Sequence, residues 1–232
     1  MNKKIDLTIE ETFAKALQNH KKNNLNVAKN FYNKTLKMNH NHFHAHNNLG
    51  IIFFNLGEHQ KAISCFKKVS QIQPNYVAAY YNLGNIHKEL EENQKAINCY
   101  EKAIQIKPDY VDAHNNLGII FFKLGEYQKS INCYEKAIKI NPNNAGAYNN
   151  FGNTLKELGE HRKAINCYEK AIKINPNHVG AYNNLGNTLK KLGEHQKAIN
   201  CYEKVFQIEP DNLTSHWLSM NTFPIIYKDL KE

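Results

Sequence analysis

Residues 183–204, NNLGNTLKKLGEHQKAINCYEK, nearly repeat a stretch that ends at Lys170. The period is 34 residues, and five copies align without a gap: 43–76, 77–110, 111–144, 145–178 and 179–212. A weaker copy fits 9–42, where Ala16, Asn23, Ala28, Tyr32 and Thr35 fall on the expected positions. A fixed internal period constrains a chain more than its composition does, because every copy must be one unit that stacks on the next.

Each copy is numbered here from 1 to 34, with Val77, Val111, Ala145 and Val179 at position 1. In the copy from Ala145, Tyr148, Phe151, Gly152 and Leu155 form one helical face. Leu158-Gly159 stops that helix, because glycine takes the left-handed conformation that ends one. A second apolar face follows in Ala164, Ile165, Tyr168, Ala171 and Ile172, and Pro176 breaks the chain before the next copy. The unit reads as helix, turn, helix. Small residues at positions 8 and 20 let the two helices approach, and the aromatic at 24 is expected to fill the space between neighbouring units. One such pair cannot bury all its apolar surface, so the expected fold is an all-α solenoid of stacked units. Departures occur at His40, Glu91, Ser130, Val69 and Val205, each expected to weaken one junction by ~1 kcal/mol.

Leu-Gly at 7 and 8, Gly at 15, Ala at 20, Tyr or Phe at 24, Ala at 27 and Pro at 32 together resemble the tetratricopeptide repeat, over residues 9–212. The resemblance implies a right-handed superhelix whose first helices line an inner, concave wall. The domain layout read from it is an extension at 1–8, a degenerate unit at 9–42, full units at 43–76, 77–110, 111–144, 145–178 and 179–212, and a capping helix or linker at 213–232.

Composition narrows the function classes. No stretch is long and apolar enough to span a membrane. Met1 to Glu11 has no apolar core, so it does not read as a secretory signal, and a cytoplasmic location is expected. Cys65, Cys99, Cys133, Cys167 and Cys201 all stand at position 23. Equivalent helices of stacked units lie roughly 10 Å apart, too far for a disulfide, so these cysteines are expected to be small core residues. The net charge of +9 raises the question of nucleic acid. Lysines recur at positions 19 and 26 as a basic stripe, but position 16 is glutamate in every full copy and position 25 usually is. Interleaved charge favours a solvated outer face over a nucleic-acid site.

The asparagines carry the functional expectation. Position 6 is asparagine in every full copy, as Asn48, Asn82, Asn116, Asn150 and Asn184. Position 5 adds Asn47, Asn115, Asn149 and Asn183, with Tyr81 the exception, and position 9 adds Asn85, Asn153 and Asn187. Asparagine is a poor helix-interior residue, so helix preference does not explain the pattern. Its amide donates and accepts together, which suits a peptide backbone. A ladder with rungs roughly 10 Å apart would meet an extended chain about every three residues. Clients are therefore expected to be extended protein or peptide segments. Positions 9 and 12 also place Ile51, Phe54, Ile119 and Phe122 off the expected core face, either as pockets for client side chains or as packing against the next unit.

NNFGNTLKELGEHRKAINCYEKAIKINP resembles, more narrowly, the array that precedes the catalytic domain of O-linked N-acetylglucosamine transferases and SPINDLY-like glycosyltransferases. That resemblance implies that Asn48, Asn82, Asn116, Asn150 and Asn184 hold extended substrate segments. This chain carries no nucleotide-binding, hydrolase or metalloprotease motif and no paired acid and base, so neither an activity nor a cofactor is expected of it. Alternate His40, His42, His44 and His46 could chelate a metal, but two fall in a turn and two open a helix, so no metal site is assigned. The apolar tail, with Trp217, Phe223 and Tyr227 around Pro224, reads as a fold-back cap or a connector.

Overall fold

The computed structural model describes residues 7–210; the tail from residue 213 lies outside the described residues. Twelve α-helices and no strand occur among them. In chain order these are α1 (Ile9–Lys21), α2 (Leu25–Met38), α3 (Phe43–Asn55), α4 (His59–Ile72), α5 (Val77–Glu89), α6 (Asn93–Ile106), α7 (Val111–Lys123), α8 (Tyr127–Ile140), α9 (Ala145–Glu157), α10 (His161–Ile174), α11 (Val179–Lys191) and α12 (His195–Ile208). They form two compact units, α1–α6 and α7–α12, divided at Pro108. Within each unit an odd-numbered helix packs on the even-numbered helix that follows it, and each pair stacks on the next, as a solenoid requires.

Local chemistry sets the boundaries. Gly57, Gly125, Gly159 and Gly193 end the first helices with φ between 72° and 79°. Glu91 and Asn23 hold the same place at φ 57° and 59°, a left-handed conformation that costs a residue with a Cβ about 1–2 kcal/mol. Position 34, which the sequence reading did not single out, is the N-cap of the following first helix. His42, Asn144 and His178 accept there from the backbone N–H of Ala45, Ala147 and Ala181 at 3.2, 3.0 and 3.1 Å. Thr8 and Glu11 form a reciprocal capping box at the start of α1.

The core differs from the sequence expectation in two respects. The aromatic at position 24 packs inside its own pair. Phe66, Tyr100, Tyr134, Tyr168 and Tyr202 are buried and lie across Gly50, Gly84, Gly118, Gly152 and Gly186. A Cβ on any of these glycines would stand only 2.5–2.8 Å from a ring atom. The buried stripe of the first helix in each full copy is also wider than positions 4, 7, 8 and 11. Ala45, Ala79, Ala113, Ala147 and Ala181 at position 3 are fully buried, and so are Ile52, Ile86, Ile120 and Thr154 at position 10. Tyr148 and Phe151 are only half-buried. Positions 3, 7 and 10 form a second row on the helix, because a first helix meets the neighbouring pairs as well as its own partner: α3 touches α5, and α9 touches both α7 and α11.

Polar residues in these rows are satisfied. Thr154 and Thr188 donate to the carbonyls of Asn150 and Asn184 at 3.2 and 2.7 Å. Ser130, a departure expected to weaken its junction, is fully buried and donates to the Gly118 carbonyl at 2.9 Å, with Thr154 Oγ1 at 3.2 Å. Its hydroxyl joins α7, α8 and α9. No described helix is long and apolar enough to cross a membrane.

Replacing Gly152 with Ala, which puts a Cβ 2.5 Å from Tyr168 Cε1, is expected to destabilise the protein by about 1–3 kcal/mol, read as a lower denaturant midpoint at unchanged helicity.

Candidate functional site: the asparagine faces of the first helices

Asparagines at positions 5, 6 and 9 lie along the first helices, and most are half-buried. Asn47 and Asn116 are 6% and 8% exposed, so these two sit deeper than a solvated face would place them. In the unit α7–α12 the side-chain amides form a relay. Asn184 Nδ2–H donates to Asn149 Oδ1 at 2.9 Å, Asn149 Nδ2–H to Asn150 Oδ1 at 3.3 Å, and Asn150 Nδ2–H to Asn115 Oδ1 at 3.3 Å. Position 6 of one repeat thus donates to position 5 of the repeat before it, which explains why asparagines come in pairs.

The relay has a shorter counterpart in the unit α1–α6. Asn47 Nδ2–H donates to Asn48 Oδ1 at 3.3 Å, and Asn48 Nδ2–H to the Tyr32 hydroxyl at 3.1 Å. His20 Nδ1 also lies 3.1 Å from that hydroxyl. Among the described residues, Asn47 Oδ1 and Asn183 Oδ1 are buried acceptors without a hydrogen-bond partner, one in each unit. Such a group costs ~1–3 kcal/mol while unpaired, so a donor brought to either would be favoured.

Position 9 has a different role. Asn85, Asn153 and Asn187 do not simply point away from the core: their Oδ1 atoms accept from the hydroxyls of Tyr100, Tyr168 and Tyr202 at 2.7, 2.8 and 2.9 Å. Burial drives the Tyr202 phenol up to about 12 and raises Tyr168 as well, so these hydroxyls remain donors. Tyr81, which replaces asparagine at position 5, packs its ring at a tilt of 51° against Tyr100, with centres 5.9 Å apart.

The apolar candidates take part in packing. Ile51 and Phe54 pack against the cluster of Ala62, Ile63, Phe66, Leu83 and Ile86. The rings of Phe54 and Phe122 meet His59 and Tyr127 at 6.1 and 5.8 Å, and Ile119 is half-buried. The histidines are similarly engaged: His42 caps α3, and His46 Nε2–H donates to the His40 carbonyl at 2.9 Å. Among the described residues, no group of three or more His, Cys, Asp or Glu is placed to hold a metal ion.

The recurrent Glu–Lys pairs and the thiols belong to the second helices and the residues just before them. Glu58, Glu92, Glu126, Glu160 and Glu194 each pair with the lysine three residues on, an exposed contact worth about 0–1 kcal/mol. Lys61, Lys129 and Lys170 lie 5.2–5.5 Å from the ring centres of Phe53, Phe121 and Tyr148, contacts that spacing alone did not reveal. His87, buried in place of an apolar residue, reaches Glu92 at 2.5 Å. The five cysteines are free, and burial pushes the thiols of Cys65, Cys99, Cys167 and Cys201 up to about 11.

Comparison with known families agrees with this architecture. Models described as "TPR repeat" match residues 52–91, 84–125 and 152–193. Models described as "Tetratricopeptide repeat" match 111–144, 179–212 and 133–166. The chain belongs to the tetratricopeptide repeat family. No curated protein matches it. Among solved structures it is similar to MamA, at 29% identity over 71% of this chain and 96% of that one, with a TM-score of 0.65. YrrB, described as a TPR protein with an unusual peptide-binding site, is similar at 22% identity over 82% of this chain and 97% of that one, with a TM-score of 0.64. The APC/C hetero-tetramer Cut9–Hcn1 is similar at 18% identity, covering 93% of this chain and 43% of that one, with a TM-score of 0.74. At such identities the last two likenesses concern the fold.

Three expected outcomes follow from this geometry. Asn187→Ala removes the acceptor of the Tyr202 hydroxyl and is expected to lower stability by about 1 kcal/mol, measured by denaturant unfolding. The thiols are expected to react slowly with a disulfide reagent at pH 8 and rapidly once the protein is unfolded. Because burial raises their values above the ordinary thiol, the folded state keeps its protons longer than the unfolded chain. Stability should therefore fall as pH rises from the ordinary thiol value through about 11.

Proposed function

We propose that the protein is a non-catalytic, cytoplasmic interaction scaffold that holds extended peptide segments along its asparagine faces. The observation that carries this reading is the amide relay through Asn184, Asn149, Asn150 and Asn115. It fixes the orientation of each amide before a client arrives, which lowers the ordering cost of binding. A primary amide has two N–H groups and two lone pairs, and the relay uses only one of each, so a peptide backbone can still be gripped on both sides. Backbone contacts bring affinity without demanding one side-chain sequence. YrrB offers a precedent for a peptide-binding site on this fold.

The resemblance to glycosyltransferase arrays gives a second reading, in which the same faces present substrate segments to a catalytic domain. The binding chemistry is common to both, and sugar transfer by the natural protein separates them. The first test concerns that shared chemistry. Replacing Asn82, Asn116, Asn150 and Asn184 together with Ala is expected to abolish binding to an immobilised library of unstructured peptides, while circular dichroism shows the helices intact. Wild-type binding should depend only weakly on salt, as neutral contacts require. Unchanged affinity in the fourfold variant would refute the role of the amides.

A further inference from the structure

One position of the second helices, position 25, changes sign along the chain. Position 25 is glutamate at Glu101, Glu135, Glu169 and Glu203, but it is Lys67 in α4 and Asn33 in α2. Neither α2 nor α4 contains a single Asp or Glu, whereas they hold Lys29, Lys34, Lys37, Lys61, Lys67 and Lys68. Glu58, just before α4, is already paired with Lys61 and feels Lys29 nearby. Neither Lys67 nor Lys68 forms an ion pair among the described residues.

These lysines border an open cleft of about 650 Å³ between α2, α3 and α4. Its polar wall is Asn33, His40, His46, Lys67, Lys68 and Gln71, above an apolar floor that includes Phe53. The equivalent place between α9 and α10 shows what is unusual. There the position-26 lysine, Lys170, rests over the ring of Tyr148 at 5.5 Å. In α3 the position-4 residue is His46, whose ring is tied to the His40 carbonyl. Lys68 loses that aromatic seat and lies near enough to His46 to disfavour its charged form, although burial is the larger cause. Two unpaired cations and a histidine therefore converge on a cleft that also offers amide groups for a backbone.

We propose that this cleft is a docking site for an acidic peptide segment, with Lys67 and Lys68 taking its carboxylates and Asn33 and Gln71 its backbone. Charge complementarity selects the occupant, since Lys67 and Lys68 form no ion pair among the described residues and no acidic side chain lines the cleft. The site is local: the following second helices restore glutamate at position 25, so a phosphodiester backbone laid along them would meet alternating sign. It is separate from the asparagine faces and does not rest on their proposed role.

The test uses a fluorescently labelled hexaglutamate peptide and fluorescence anisotropy. Lys67→Glu with Lys68→Glu is expected to weaken binding by about ten-fold or more, while Lys102→Glu with Lys136→Glu, the same change of net charge elsewhere, should have little effect. The His46 ring protons should shift in NMR spectra as the peptide is added. The fourfold asparagine variant should bind hexaglutamate as the wild type does. Equal weakening by the two lysine pairs, a silent His46, loss of binding in the asparagine variant, or tighter binding of a single-stranded oligonucleotide of equal charge would each overturn the proposal.

Discussion

The contact between an aromatic ring and a glycine holds every full helix pair. With Tyr or Phe at position 24 lying across the glycine at position 8, the two helices approach until ring atoms fill the volume a Cβ would need. The dispersion gained over a whole ring face then acts where the pair is narrowest. Much else follows from that distance. Position 20 must be small, so Ala62, Ala96, Ala164 and Ala198 are fully buried, as is Ser130 in the one pair that adds a hydroxyl there. The first pair shows the alternative, with Ala16 facing Tyr32 in helices built around the extra methyl group.

The same ring leads outward to the polar surface. Tyr100, Tyr168 and Tyr202 are buried by their faces, but each hydroxyl needs an acceptor, and the asparagine at position 9 supplies it. Where position 9 is isoleucine, in α3 and α7, that arrangement is absent and the isoleucine contributes apolar packing instead, as Ile51 does. Asparagine therefore has two tasks on one helix. At position 9 it completes the core, and at positions 5 and 6 it links one repeat to another. The second task leaves hydrogen-bonding capacity unused, which is why the functional reading concentrates on Asn115, Asn149, Asn150 and Asn184.

Departures from the repeat show where the array tolerates or uses individuality. Ser130 forms hydrogen bonds that its alanine counterparts cannot. Glu91 accepts a left-handed backbone to keep the turn that glycine makes elsewhere. Lys67 and His46 change the electrostatics of one cleft without disturbing the helices around it, because Lys67 is exposed and His46 only half-buried.

The 34-residue period determined helix number, the pairing of helices within a unit and the tetratricopeptide class, because a repeated apolar pattern has few ways to bury itself. It also determined the fate of the cysteines, whose spacing is the repeat itself. Other features required the tertiary structure. Alanine at position 3 gives no signal of its own, yet Ala147 is fully buried, because its burial comes from neighbouring pairs. Asparagine types at positions 5, 6 and 9 look alike in the sequence, but Asn187 bonds to a tyrosine of its own pair and Asn184 to an asparagine 35 residues earlier. Residue type sets how many hydrogen bonds a side chain can make; only the packed arrangement of helices decides which partner comes within 3 Å.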